Sequence, residues 1–277
     1  MEINASLRRI HLHSPQPGVL ANFYQKTYGL HSQKFGPNWI CRAAGREFGV
    51  SEGQAGQLKY ALFGFKKASD WKAFLKRTES LTRADLSDIP QLPEGSVGFT
   101  DPEGNMTVFC LPPHVDAPHE RDALSMPAAL QHFAMRTQSI EPMVKFYSEQ
   151  LGYVVSDRVL DEKGNLKACF LRTDKMHHAM ALFSASVRGF DHQSYETPDW
   201  SHMKNWADHM GQHRNTIVWG IGRHGPGDDV FFMVRDPDEN LAEISSEIEV
   251  CKGDRPVGIW RHEERTLNLW GKAIMRT

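Results

Sequence analysis

The chain has 277 residues, of which 40% are hydrophobic and 24% charged, and its formal net charge is -2. This composition is typical of a folded globular protein, and without a basic block or stripe it argues against nucleic acid or an anionic membrane as a partner. No run of 18 apolar residues and no apolar N-terminal segment occurs, so neither a membrane span nor a secretory signal is predicted. The 4 cysteines are widely spaced, which favours a reduced, cytoplasmic protein over a disulfide framework.

Two short patterns occur twice along the chain. An FY pair followed by Gly is shared by residues 13–30 and 136–153, and a DP turn is shared by residues 98–111 and 232–245. Two matches in the same order, at similar offsets, predict a duplicated module. The boundary is predicted within residues 111–127, which are rich in proline and charge.

The predicted elements follow the same order in both modules. A strand opens each module, an amphipathic helix that ends at Gly follows, and short alternating strands come next. In module one the first two elements are Ile10–Ser14 and Val19–Tyr28. In module two the predicted strands are Leu130–Thr137, Tyr153–Val159, Leu166–Arg172, Ala179–Ser184, Asp191–Tyr195, Thr216–Gly220, Val230–Arg235 and Leu241–Glu247, and the predicted helices are Glu141–Leu151 and Trp200–Met210.

Three polar residues interrupt the apolar pattern of the strands in module two. They are His132 in LQHFAMRT, His192 in GFDHQSYE and Glu243 in LAEISSE. A buried carboxylate requires a partner, and two imidazoles with one carboxylate suit a shared cation. This set leaves coordination positions open, which favours Fe(II) in an oxygenase.

The duplicated module offers an internal comparison. At the corresponding positions module one has Arg9 in place of His132 and Val108 in place of Glu243. Module one is therefore predicted to keep the scaffold without the ligands, as expected if the three residues serve a site rather than the fold.

These residues lie in segments that resemble the type I extradiol ring-cleaving dioxygenases of the vicinal oxygen chelate superfamily. The segments are LQHFAMRTQSIEPMVKFYSEQLGY, KMHHAMALF, DHQSY, GRHGPGDDVFFMVRDPDENLAEI and the tail IWRHEERTLNLWGK. The resemblance covers nearly the whole chain and implies an α+β fold of two tandem modules, each a pair of βαβββ units. It implies a metal-free module at 1–115, a metal-binding module at 125–250 and a C-terminal lid at 251–277.

The resemblance also implies an activity. His132, His192 and Glu243 would hold Fe(II), with Mn(II) as the alternative metal, and O2 would open a catechol ring beside its two hydroxyls to give a muconic semialdehyde type of product. His178 falls on the acid–base histidine and His224 on a histidine that hydrogen-bonds the substrate or a ligand. His177 is interpreted as structural. A small aromatic diol is the expected substrate, and a homo-oligomer is the expected assembly.

The chain departs from the family at the expected substrate contacts. Met233 replaces a tyrosine, Trp219 replaces an arginine that binds a substrate carboxylate, and the nearest counterpart of a lid arginine is Arg265. Trp219 and Met233 favour a more apolar aromatic, of one ring or larger. Two alternatives remain open: a metal-dependent enzyme of other chemistry, such as an isomerase or thiol transferase, and a non-catalytic binding protein.

Other histidines are candidates for weaker sites. His209 and His213 have the i, i+4 spacing of a helical zinc pair, with His202 on the same face, but no HExxH pattern is present. His11 and His13 share a strand face without an acidic partner. The segment HVDAPHE, 114–120, is interpreted as linker.

Overall fold

The computed structural model describes residues 2–111 and 126–276. Its strands form two sheets, one from the residues before the gap and one from those after it. The α+β fold class is therefore confirmed. Most of the predicted module boundary, and all of HVDAPHE, lie outside the described residues.

The first sheet comes from residues 5–110. Its elements are β1 (Ala5–Ser14), α1 (Pro17–Tyr28), β2 (His31–Phe35), β3 (Asn38–Ala43), β4 (Arg46–Glu52), β5 (Leu58–Phe65), α2 (Ala68–Arg77), β6 (Val97–Thr100) and β7 (Met106–Cys110). The strand order is β2-β3-β4-β1-β5-β7-β6, and the central pair β1 and β5 is antiparallel.

The second sheet comes from residues 129–261. Its elements, with those of the tail, are β8 (Ala129–Thr137), α3 (Ile140–Lys145), a π-helical turn (Phe146–Gln150), β9 (Val154–Leu160), β10 (Leu166–Arg172), β11 (Met180–Ser184), β12 (Gly189–Glu196), α4 (Trp200–Gln212), β13 (Ile217–Arg223), β14 (Val230–Arg235), β15 (Leu241–Ser246), β16 (Gly258–Arg261) and α5 (Glu264–Leu267). The order is β13-β14-β15-β12-β8-β11-β10-β9-β16, and the central pair β8 and β12 is antiparallel.

The pair of βαβββ units is present in the second sheet and incomplete in the first. The unit that begins with β5 has only two strands after its helix among the described residues. Residues 78–96 take the place of the third strand, and Pro90 and Pro93 in that segment lack the N–H that a ladder needs. Its apolar side chains, among them Ile89, pack instead on a cluster formed by β5 and β7.

A continuous apolar core joins the two modules. It includes Leu12 and Tyr28 from the first module and Phe133, Tyr195 and Trp206 from the second. The hydroxyl of Tyr28 donates to the carbonyl of Ala242 at 3.2 Å. A smaller cluster lies on the other face of the second sheet, where the candidate site is found. No helix of the described residues is long and apolar enough to cross a membrane.

Candidate metal centre

Three adjacent strands bring the predicted ligands together. Ser194 of β12 is in register with His132 of β8 on one side and with Glu243 of β15 on the other. His192 lies two residues before Ser194, and residues two apart on a strand share a face. The three side chains therefore converge from one face, and their ligand atoms all lie within 4.8 Å of one another.

The two histidines present the same nitrogen to the centre. The Nε2 atoms of His132 and His192 are 3.3 Å apart, and they lie 3.9 and 4.0 Å from the carboxylate of Glu243. The three residues are between 0% and 5% exposed. The geometry is that of three donors directed at one small volume from which water is largely excluded.

A neighbouring side chain accepts a hydrogen bond from the other ring nitrogen, Nδ1, of each histidine. Asp191 Oδ1 lies 2.7 Å from His192 Nδ1 and can only accept, so Nδ1 carries the proton. Gln131 Oε1 accepts from His132 Nδ1, and its orientation is set because Gln131 Nε2 donates to the carbonyl of His178 at 2.6 Å. With Nδ1 of each ring engaged in this way, the two Nε2 atoms face each other, an arrangement suited to a metal between them.

Glu243 completes this electron-rich group. Its Oε1 accepts from the Ser194 hydroxyl at 2.8 Å, whereas Oε2 is buried without a hydrogen-bond partner among the described residues. Burial would raise the pKa of Glu243, but the neighbouring histidines lower it to about 2, so the group is a carboxylate. Burial lowers the pKa of His132 to about 3, so that ring is neutral. Two imidazoles and one carboxylate with an unpaired oxygen fit a divalent transition metal.

His178 and His224, predicted to act on the substrate, lie beside this group. The ring of His178 is 4.2 Å from that of His132, centroid to centroid, and burial lowers its pKa well below the usual value. His224 donates from Nδ1 to the carbonyl of Leu267 at 2.6 Å, and its Nε2 is 3.7 Å from Glu243 Oε2. Burial alone would lower the pKa of His224, but the carboxylates of Glu243 and Asp229 raise it.

A cavity of about 20 Å³ opens onto these side chains. Such a volume holds about one water molecule, so a ring can enter only if lining side chains move. Its lining residues are His132, Phe170, His178, Ala181, Phe183, His192, Trp219, His224, Pro226, Leu267 and Arg276. A second cleft, of about 500 Å³, shares Arg276 with this cavity.

Of the three residues predicted to contact the substrate, one lines this cavity. Trp219 lines the cavity. Met233 does not line it, because it is fully buried in the surrounding apolar cluster with Phe231. Arg265 does not line it either, because it is exposed on the short helix α5. Arg276 is the arginine at the cavity.

Sequence reasoning missed Arg276. Its guanidinium makes two contacts with Asp191, at 2.5 and 3.0 Å, and donates a third hydrogen bond to the carbonyl of Ile274. The available signal was Asp191, a carboxylate beside a predicted ligand in a buried strand, which requires a cation. Nothing local shows that this cation comes from the end of the chain.

Among the described residues, the remaining histidines do not form a second independent metal group. Within 2–111 and 126–276, groups of three or more possible ligands are limited to the one above and to His224, Asp229 and Glu243, which shares Glu243 with it. His209 bonds the carbonyl of Thr27. His11 lies between Tyr60 and Ser51, at 3.2 and 3.1 Å.

The chain is similar in sequence to known proteins. Residues 129–244 match the model of the glyoxalase/bleomycin resistance protein/dioxygenase superfamily. The chain is similar to metapyrocatechase 2 of Cupriavidus necator, with 28% identity over 80% of this chain and 75% of the relative.

Two solved structures share the fold. Homoprotocatechuate 2,3-dioxygenase from Brevibacterium fuscum superimposes with a TM-score of 0.81 at 21% identity, over 99% of this chain and 91% of that one. A Mn(II)-bound glyoxalase from Novosphingobium aromaticivorans gives 0.77 at 21%, over 98% and 92%.

Proposed function

We propose that the protein is an extradiol dioxygenase of the glyoxalase/bleomycin resistance protein/dioxygenase superfamily, whose family model matches residues 129–244. It holds Fe(II) at His132, His192 and Glu243 and uses O2 to open an aromatic diol beside its hydroxyls. The observation that supports this most is that the Nε2 atoms of both histidines face each other beside Glu243 Oε2, which has no hydrogen-bond partner among the described residues. When bound, Fe(II) supplies positions for both diol oxygens and for O2, and passes electrons between them.

The chain's own residues supply the proton chemistry. Neutral His178 accepts a proton from the diol as it binds, and the same proton is then available to the oxygen derived from O2. His224, whose pKa is raised by two carboxylates, donates a hydrogen bond from Nε2 to a substrate oxygen. Both atoms of O2 enter the product, and the ring bond between one hydroxyl-bearing carbon and its neighbour outside the diol breaks.

The walls of the cavity favour an uncharged, apolar substrate. Trp219, Phe170 and Phe183 present rings to the cavity. Arg276 is the one arginine or lysine among the described lining residues, and all three of its nitrogens are engaged by Asp191 and Ile274. A substrate carboxylate would have to compete with Asp191 for it, at the cost of leaving a buried carboxylate unpaired.

Oxygen uptake by the Fe(II)-loaded protein tests the activity and the preference together. We expect uptake with catechol and a 4-alkylcatechol, accompanied by a yellow product, and a kcat/KM at least about tenfold lower with 3,4-dihydroxyphenylacetate. Metal binding without oxygen uptake on any diol would contradict the dioxygenase proposal and favour an isomerase or transferase. A preference for the carboxylated diol would contradict the substrate preference inferred from Arg276, but not the dioxygenase activity. A homo-oligomer and a cytoplasmic location remain predictions.

A further inference from the structure

A chain of buried polar residues leads away from the cavity behind His178. The Nδ1 atoms of His178 and His177 are 3.0 Å apart, and His177 Nε2 is 3.2 Å from Oδ2 of Asp157. His177 and Asp157 are both fully buried. Neither residue is adjacent in sequence to a proposed metal ligand, and the proposed reaction does not otherwise use them.

Asp157 is held as a carboxylate by donors from the C-terminal tail. Arg255 Nη1 lies 2.8 Å from Oδ1, the backbone N–H of Gly258 donates to Oδ1 at 3.1 Å, and Trp260 Nε1 donates to Oδ2 at 2.6 Å. Burial would raise the pKa of Asp157, but His177, Arg255 and Trp260 lower it below the usual value. This carboxylate can only accept hydrogen bonds.

The carboxylate determines which nitrogen of His177 carries the proton. His177 Nε2 has Asp157 at 3.2 Å and the carboxylate of Glu249 at 4.0 Å. The contact with Asp157 is not a well-aligned hydrogen bond, yet no other described residue takes this proton. Two negative groups on that side favour the Nε2–H tautomer, in which Nδ1 of His177 is an acceptor.

The position of the proton on His178 follows from its position on His177. Since Nδ1 of His177 accepts, Nδ1 of His178 must donate across the 3.0 Å contact. We propose that Asp157 and His177 are positioning residues that hold His178 in its Nδ1–H tautomer, with the unprotonated Nε2 left for the cavity. The catalytic consequence rests on the proposed function: Nε2 is then the atom that accepts the diol proton. The tautomer itself does not depend on the reaction.

Two-bond 1H–15N correlation spectra of the metal-free protein, labelled at histidine, test the tautomer directly. Resonances are assigned with His177→Asn and His178→Gln, and His213→Asn, an exposed histidine directly after helix α4, is the matched control. We expect His178 with a protonated Nδ1 and an unprotonated Nε2. A protonated Nε2 on His178 would overturn the proposal, because it would mean that His177 is an imidazolium that donates from Nδ1.

Kinetics separate positioning from mere structural support. His177→Asn retains an amide oxygen near the position of Nδ1 and can accept from His178, whereas His177→Leu cannot. We expect His177→Leu to lower kcat about 10–100-fold with KM and metal content unchanged, and His177→Asn to recover most of the loss. Equal kcat values in the two variants, once circular dichroism shows that both are folded, would overturn the proposal. If the wild type consumes no oxygen, the proposed function fails and the spectra still decide the tautomer.

Discussion

At the scale of single residues, the site depends on groups that do not touch a metal. His132 and His192 can present Nε2 only because Gln131 and Asp191 accept hydrogen bonds from the Nδ1–H groups. The orientation of Gln131 depends in turn on the carbonyl of His178, so a ligand and the proposed base share one hydrogen-bonded link.

Removing the acceptor on His132 should weaken metal binding without removing a ligand. Gln131→Met frees the ring to rotate and to exchange tautomers, and we expect the dissociation constant for Mn(II) or Fe(II) to rise about 10–100-fold. Competition with a chelator measures it. Gln138→Met, an exposed glutamine at the end of the same strand, is the control. An unchanged constant in Gln131→Met would show that Gln131 does not orient the ring.

At the scale of elements, the two repeated patterns contact each other across the modules. The hydroxyl of Tyr24 in α1 donates to Asp236 at 3.2 Å, and that of Tyr147 in the π-helical turn donates to Asp101 at 3.1 Å. The FY helix of each module therefore bonds the DP turn of the other. The duplicated patterns thus form two equivalent, buried hydrogen bonds between the modules.

These contacts should contribute similarly to stability. Tyr24→Phe and Tyr147→Phe each leave a buried carboxylate short of one donor, and we expect each to lower the free energy of unfolding by about 1–3 kcal/mol, measured by urea denaturation. Tyr153→Phe is a matched control, because its buried hydroxyl has no partner in the described parts of the chain. It should be neutral or stabilising. A loss as large as that of Tyr24→Phe would contradict the assignment.

The Asp236 turn should also give stability a pH dependence. Burial raises the pKa of Asp236 from 3.8 to about 6. The folded state therefore binds this proton more tightly, so the contribution is fully present below about pH 3.8 and lost as pH rises through about 6. The stability difference between wild type and Asp236→Asn should fall across pH 4–6 in urea titrations. Asp161→Asn, in an exposed turn where hydrogen bonds from Asn165 lower the pKa, should show no such fall.

Local pattern was enough to predict most elements. Strands β10 and β14 match their predicted bounds, because turn residues bound each apolar run. Strand β1 begins at Ala5, five residues before the predicted start, because pairing with β5 outweighs its charged residues. The tail strand β16 was not predicted, since it depends on pairing with the distant β9. Arg276 escaped prediction for the same reason: its partner Asp191 is 85 residues away.

At the scale of the whole molecule, the two modules differ at one equivalent position: an arginine side chain fills it in the first module, and three possible metal ligands meet there in the second. By sheet register, Arg9, Tyr60 and Val108 of the first module correspond to His132, His192 and Glu243. The guanidinium of Arg9 contacts Glu47 at 2.7 Å and donates to the Tyr60 hydroxyl at 3.1 Å. The guanidinium of Arg9 therefore occupies the position where the second module brings its possible metal ligands together. This difference explains why comparing the sequences of the two modules pointed to the site.

Removing that guanidinium should affect the fold and leave metal binding unchanged. Arg9→Met removes the guanidinium that contacts the partly buried Glu47 and the Tyr60 hydroxyl, and we expect the free energy of unfolding to drop by about 1–3 kcal/mol. Urea denaturation and metal content are measured on the same preparation. A change in metal per chain would contradict the view that the first module holds none.

The metal content of the reconstituted protein tests the central claim most directly. Wild type, Glu243→Ala and Glu149→Ala are loaded with Fe(II) under anaerobic conditions, passed over a desalting column and analysed for iron per chain. Glu149 is an exposed glutamate of the same module and serves as the control. The proposed site predicts about one iron per chain in wild type and in Glu149→Ala, and almost none in folded Glu243→Ala. Full iron content in Glu243→Ala, or none in wild type, would contradict it.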